Sequence, residues 1–337
     1  MTLPRIAKHA LLVCLIALAF AAGLVSSAFS DYQSAPLHRD ATPRRLVISL
    51  GSGPGGIAAA FDRAGFQVSG QRLVWIIRLR GDVARYRAAL YEIAPGQTLK
   101  ATLDMVARGE GQPATVRLGE GITFRQVRDI IDTHPHVHPD TRGLEEAVLL
   151  ARIGIAHPSG EGLFLPDTYH FAPGSSAVQL YREAWKAMER VLQQEWAARS
   201  PGLPLQSAYE ALVLASMIEK ETGRPQDRAM VSSVFVNRLR KGMLLQSDPT
   251  TVFALGASFD GRLRRRDLQF DHPHNTYVRP GLPPTPIALP SKAAIEAAMR
   301  PAESPAFFFV ARGDGSTEFS VDLKAHNQAV ERFILKR

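Results

Sequence analysis

Cysteine is almost missing from this chain. Cys14 is the only one in 337 residues, so no intrachain disulfide can brace the fold. It lies inside an apolar run after Leu12 and Val13, which lack the small side chains of a lipidation site, and it reads as a small hydrophobe. No GxSxG elbow occurs, and Cys14 is in no position to act as a nucleophile with histidine, so acyl transfer has little support. Zinc-finger spacing, an RNP-like aromatic cluster and a basic zipper are also missing. The net charge of +8 therefore stands without a nucleic-acid motif and reads as a basic surface open to some anionic partner. No HExxH pair is present. His134, His136 and His138 alternate, as do His272 and His274, but Pro135, Pro139 and Pro273 put them in loops, and no metal is expected. Gly51-Ser-Gly53-Pro-Gly55-Gly56 has the form GxGxxG. Pro54 removes an amide donor, however, and no acidic residue follows about 20 positions on, so the segment reads as a tight turn and no cofactor is expected.

What is present begins at the N-terminus. Arg5 and Lys8 precede a run from Ala10 to Phe29 that carries no charge and matches the ~20 residues needed to span a bilayer as a helix. An uncleaved anchor is the preferred reading, and a secretory signal cut near Ser26-Ser27-Ala28 is the alternative. Either one exports the remainder. Apolar residues make up 45% of the chain, enough to bury a real core.

The rest divides by pattern. Residues 31–44 are polar and read as a linker. Arg45–Leu50 reads as a strand, Ile57–Ala64 as a helix, Tyr86–Ile93 and Thr98–Ala107 as strand and helix, and Val116–Leu118 and Phe124–Ile131 as a second such pair. Helices are expected over 177–198, 205–222 and 227–239, and Pro280–Pro290 cannot be helix or central strand. Ser291 is an N-cap for 292–299, Phe307–Ala311 and Thr317–Phe319 form a hairpin, and Asp322 caps a last helix. Strands and helices mix without regular βαβ alternation, so the fold class is α+β.

One segment carries chemistry. Ala211–Ile218 is almost wholly apolar and implies a helix buried nearly all round, with Glu219-Lys220-Glu221 at its last turn and Gly223 and Pro225 to stop it. Leu214, Met217, Ile218 and Glu221 share a face, whereas Glu219 points about 200° away. A carboxyl that continues an apolar face at the negative end of a helix dipole is held protonated, as a general acid for a glycosidic oxygen must be. A solvated Glu-Lys-Glu helix end fits these residues equally well.

Several blocks in order carry a resemblance. They are Glu161-Gly-Leu-Phe-Leu-Pro-Asp-Thr-Tyr169, Ala215-Ser-Met-Ile-Glu-Lys-Glu-Thr222, Val231–Leu239, Gly242–Thr250, Asn275-Thr-Tyr277, Gly281–Pro284, Ile287–Pro290, Phe309-Val-Ala311 and His326-Asn327. Together they resemble the endolytic murein transglycosylases, the MltG or YceG-like family. The resemblance implies that Glu221 is catalytic and that peptidoglycan strands are cut between N-acetylmuramic acid and N-acetylglucosamine, leaving 1,6-anhydro ends. It implies an inner-membrane protein with one span and a periplasmic catalytic domain, and cell-wall synthesis proteins as further partners. The domains expected are tail and anchor over 1–30, linker and membrane-proximal segment over 31–84, a LysM-like module over 85–135 and a catalytic domain over 155–337. Asn237, Gln246, Asp248, Asn275 and Tyr277 lie in matching blocks and are candidate sugar-binding residues, although Asp248-Pro249 and Asn275 also suit turns. His274 stands where the family often has tyrosine. Two rivals remain: a hydrolase using Glu221 and Asp248 as a carboxylate pair, and a non-enzymatic wall-binding scaffold.

Overall fold

The protein is described here by a computed structural model covering residues 5–335; the first four residues of the expected cytoplasmic tail lie outside the described residues. The fold is mixed α+β. The chain forms two compact units, one of Met1–Ala114 with His170–Ser175, the other of Thr115–Tyr169 with Ser176–Arg337.

The first unit opens with α1 (Arg5–Ser34), whose stretch Leu12–Ser34 is long and apolar enough to cross a membrane by length and composition. The helix continues past Phe29 into the segment read as linker. The chain then forms β1 (Arg44–Ile48), α2 (Pro54–Arg63), α3 (Gly70–Arg80), β2 (Ala89–Ile93) and α4 (Leu99–Arg108). β1 and β2 pair antiparallel, with Arg44 opposite Ile93 and Ile48 opposite Ala89. Alternate residues Leu46, Ile48, Tyr91 and Ile93 face one side and pack with Ile57 and Phe61 of α2, Leu73 and Ile77 of α3 and Leu103 of α4. The glycine-rich turn after β1 has Gly51 in the left-handed region, φ +74°, and delivers Pro54 to the first turn of α2, where its missing N–H does no harm. α3 was not anticipated from the sequence.

In the second unit the chain forms β3 (Ala114–Arg117), α5 (Phe124–Asp132), β4 (Val137–His138), α6 (Glu146–Ile153), β5 (Thr168–Phe171) and β6 (Ser175–Ser176), whose ends adjoin the segments given to the first unit. It continues through α7 (Ala177–Ala197), α8 (Ala208–Glu221), α9 (Arg228–Lys241), α10 (Asp248–Leu255), α11 (Lys292–Met299), β7 (Phe308–Ala311), β8 (Thr317–Ser320) and α12 (Leu323–Val330). Thr123 and Gln126 close a reciprocal capping box on α5. Every sheet among the described residues has two strands. The centre of this unit is α8, buried at each position from Ala211 to Ile218, with α7, α9 and α11 packed around it. Few helices of this length can be apolar all round without a shell of other helices, which is why the C-terminal end of α8 is so firmly placed.

Candidate active site

Glu221 is the last residue of α8. Ser207 caps the other end, its side chain accepting the Glu210 N–H at 3.2 Å. Gly223, expected as the stop, is not in the left-handed region; the helix ends because Thr222 turns extended (φ −142°, ψ 128°) and Pro225 opens the next turn. α8 therefore ends without a left-handed cap, and its final side chain projects where the chain breaks away.

The Glu221 carboxyl forms part of the wall of a cavity of about 380 Å³, together with Arg238, Gln246, Asp248, Tyr277, Phe308, His326 and Asn327. Ser247 Oγ donates to Glu221 Oε1 at 2.5 Å. Burial pushes the Glu221 carboxyl up to about 7, and the charge of Asp248 adds to this, while the Ser247 hydrogen bond and the Arg238 cation pull the other way. A large fraction of Glu221 is thus protonated near neutrality, in contact with the open cavity.

Asp248 begins α10 and accepts the Tyr277 hydroxyl at 2.5 Å. That bond and burial together raise the Tyr277 phenol, burial being the larger effect, so it stays a donor. Gln246 precedes them with φ +53°, the one non-glycine residue in the left-handed region among those described. Its N–H reaches the Thr276 carbonyl at 3.1 Å, so the loops around Gln246 and Thr276 are tied together. Strain held by such cross-links concentrates at functional sites. Gln246, Asp248 and Tyr277 thus share one cavity with Glu221.

Two other sequence candidates sit differently. Asn237 on α9 uses its amide to hold the carbonyls of Ser304 and Ala306, at 2.7 and 2.9 Å, just before β7. Asn275 is fully buried. Its amide donates to Leu268 and Phe270 carbonyls, and its oxygen accepts from Thr251 and the Tyr277 N–H. Neither lines the cavity; each holds a segment that does. Glu219 also turns away from Glu221. Its carboxylate pairs with buried Arg228 at 3.3 Å and accepts the Ser291 N–H at 2.9 Å as well as the Ser291 hydroxyl, fastening α8 to the start of α11.

Sequence reasoning did not single out Ser247, Arg238 or Phe308. Arg238 is buried, donates to the carbonyls of Phe307 and Leu245 at 2.7 and 2.8 Å, and lies over the Phe308 ring at 5.2 Å. His326 stacks on the same Phe308 ring, centroids 5.2 Å apart. Burial lowers the basicity of both Arg238 and His326. Ser247 lies between two residues that were singled out, and no local pattern marks it.

Asp248 also borders a second, larger cavity of about 730 Å³, with Pro249, Phe253, Phe259, Lys220, Arg125 and Glu161 in its wall. Asp248, in the first turn of α10, is the one residue among those described that is common to the walls of the smaller cavity and of this larger one. Glu161 is buried there, its carboxyl accepting the Phe124 N–H at 3.1 Å, and burial raises it to about 7. Burial likewise holds His274, bonded to Thr285 at 2.8 Å, down at about 4 and so neutral. Among the described residues no cluster of His, Cys, Asp or Glu is arranged to hold a metal ion.

The profile of the YceG-like family matches residues 46–332. The chain is 28% identical over 319 residues to the endolytic murein transglycosylase of Bacillus subtilis, covering 89% of this chain and 87% of that protein. It is 29% identical over 180 residues to the endolytic murein transglycosylase of Streptococcus pneumoniae D39, covering 52% of this chain and 32% of that protein. A crystal structure of a yceG-like protein from Listeria monocytogenes superposes with a TM-score of 0.56 at 28% identity, over 86% of this chain and 99% of that one.

Proposed function

The chain belongs to the YceG-like family, and on that footing we propose that it is an endolytic peptidoglycan lytic transglycosylase with Glu221 as its general acid and base. One observation carries the reading: a carboxyl raised to about 7 by burial, at the end of the central helix, in the wall of an open cavity. The two named relatives are endolytic murein transglycosylases, which supports the same substrate class.

The chemistry follows from one acid. Glu221 gives its proton to the glycosidic oxygen as the bond from that oxygen to the anomeric carbon of N-acetylmuramic acid breaks. The 6-hydroxyl of the same sugar attacks that carbon and passes its proton to the Glu221 carboxylate. One C–O bond breaks and one forms, the acid is regenerated, and no water is consumed. Gln246, Asp248 and Tyr277 serve as the sugar-binding groups. Asn237 and Asn275 serve binding by holding β7 and the Tyr277 loop in place. The larger cavity beyond Asp248 receives the neighbouring sugars, as an enzyme cutting inside a strand requires. α1 anchors the protein in the inner membrane with the catalytic unit in the periplasm, and residues 85–135 act as a LysM-like wall-binding module.

Asp248 gives a second reading some support, because it shares the Glu221 cavity and its charge raises the Glu221 carboxyl. In a two-carboxylate hydrolase it would serve as nucleophile or base. Mass analysis of digested glycan strands decides. Only anhydro ends are expected, from the parent protein and from a slower Asp248→Asn variant. Reducing ends would establish the hydrolase, and uncut strands would establish a binding scaffold.

A further inference from the structure

The first unit carries an exposed apolar surface that catalysis does not use. On α3, Leu73 and Ile77 are in the core, yet Trp75 and Leu79, on another face, are 63% and 83% exposed. α3 is fastened at both ends to the last turns of α1. Arg72 donates to the Ala28 carbonyl at 2.6 Å and lies 3.4 Å from Asp31, and Arg80 bonds the Tyr32 hydroxyl. The two helices enclose an apolar groove of about 430 Å³, walled by Val25 and Phe29 on α1 and by Trp75, Ile76 and Leu79 on α3.

We propose that α3 is an interfacial helix whose Trp75–Leu79 face is inserted into the headgroup boundary of the outer leaflet beside the membrane span. This rests on α1 being the anchor. One wall of the groove is then the span itself. Counting ~20 residues for the hydrocarbon core from Ala10 places Val25 to Phe29 in the leaflet's outer part and Tyr32 at the headgroups. Whatever fills a groove at that depth is lipid. The side chains on α3 suit that boundary: an indole and a leucine for the acyl ends, with exposed Arg78 on the same short helix for phosphates, while Arg80 is held by Asp82 and Asp104 and Arg72 by Asp31. Arg78 lies over the Trp75 ring at 6.0 Å, so its apolar stem follows the indole while its charged head stays at the headgroups.

The test uses full-length protein in phosphatidylcholine–phosphatidylglycerol vesicles, with Trp185→Phe and Trp196→Phe leaving Trp75 as the sole tryptophan. Flotation with the vesicles reports the anchor, and quenching by lipids brominated near the headgroup reports α3. Trp75 emission is expected to shift to the blue and to be lost with shallow bromines more than with deep ones. Protein that floats while Trp75 stays unquenched overturns the interfacial helix and leaves the anchor standing; protein that does not float overturns both. Shielding that depends on protein-to-lipid ratio and not on bromine would assign the face to a second copy and overturn lipid. A second measurement keeps all three tryptophans: in a Cys14→Ser background, Leu79→Cys should react with an impermeant maleimide more slowly in vesicles than Arg63→Cys, an exposed position at the end of α2. Equal rates would also overturn the proposal.

Discussion

Glu221 and Glu219 are two positions apart on one helix and meet different surroundings, and helical periodicity separates them. Glu221 continues the apolar face and meets Ser247 in a cavity, whereas Glu219 is locked to Arg228 and Ser291. Glu221→Gln keeps the shape of the side chain and removes the transferable proton. Glycan cutting should fall by ~10²–10⁴-fold with the unfolding midpoint little changed, since general acid–base help is of that size. Parent-like cutting by this variant would mean the acid lies elsewhere. If Glu221 is the acid proposed, its working form is protonated, and with the group at about 7 the parent rate should decline as pH rises through that value. The Ser247 hydrogen bond favours the charged carboxylate, so Ser247→Ala should raise the Glu221 pKa and move this decline to higher pH. A decline that stays put or moves to lower pH would show that the bond does not act on Glu221. None of this partnership was legible locally: Ser247 is 26 positions from Glu221, and a positive φ at Gln246 is not written in a glutamine.

Among the elements, the ones read correctly are those whose signals are local. α8 announces itself by a continuous apolar run that ends at Glu219-Lys220-Glu221, and α11 and α12 by caps at Ser291 and Asp322 that accept the Ala294 and Ala325 N–H groups. α3 escaped because its apolar residues point both inward and outward, which blurs the periodicity. α10 escaped because Asp248-Pro249 was weighed as a turn, although proline near a helix start and an acid in its first turn are also ordinary helix openings. Asn237 and Asn275 were read as sugar ligands, a polar residue type in the right block; their amides are bonded to carbonyls of distant loops, a fact that only tertiary structure supplies. Two predictions belong here. Glu219→Gln weakens the tie between α8, α9 and α11 and should lower stability by on the order of 2–3 kcal/mol in denaturant titration, because a buried cation loses its counter-charge. Cutting per folded molecule should remain near the parent's; a dead but fully stable variant would reverse the assigned roles. Asn237→Ala strips donors from two carbonyls ahead of β7 and should cost about 1–3 kcal/mol. If stability is unchanged and only KM rises, Asn237 contacts sugar directly.

The partition of the whole molecule could not be read from the sequence, because a return of six residues, His170–Ser175, to the first unit leaves no periodic trace. What the sequence did expose at this scale is an N-terminal helix long and apolar enough to span a membrane; if it is the proposed anchor, membrane fractionation should recover full-length protein in the inner membrane, and a shortened soluble form beginning near residue 29 would favour the cleaved signal. Folding is also linked to pH through Glu161 and Glu221, two buried carboxyls that the fold raises from 4.5 to about 7. A raised acid binds its proton more tightly when folded. Its contribution is therefore complete below about 4.5, where both states are protonated, and is lost as pH rises to about 7. His274 acts in the opposite sense. Held near 4 when folded and at 6.5 when unfolded, it adds stability as pH rises across that interval. The total pH profile mixes these signs, so a difference between variants is the cleaner observable. In Glu161→Gln the amide still accepts the Phe124 N–H but cannot ionise. Near pH 4 the variant should match the parent. By pH 8 it should be more stable by up to about 3 kcal/mol, the free energy of a shift of that size at 1.36 kcal/mol per unit. A stability difference that is flat from pH 5 to 8 would mean that Glu161 is charged at neutrality, with a cation or water reaching it through the larger cavity.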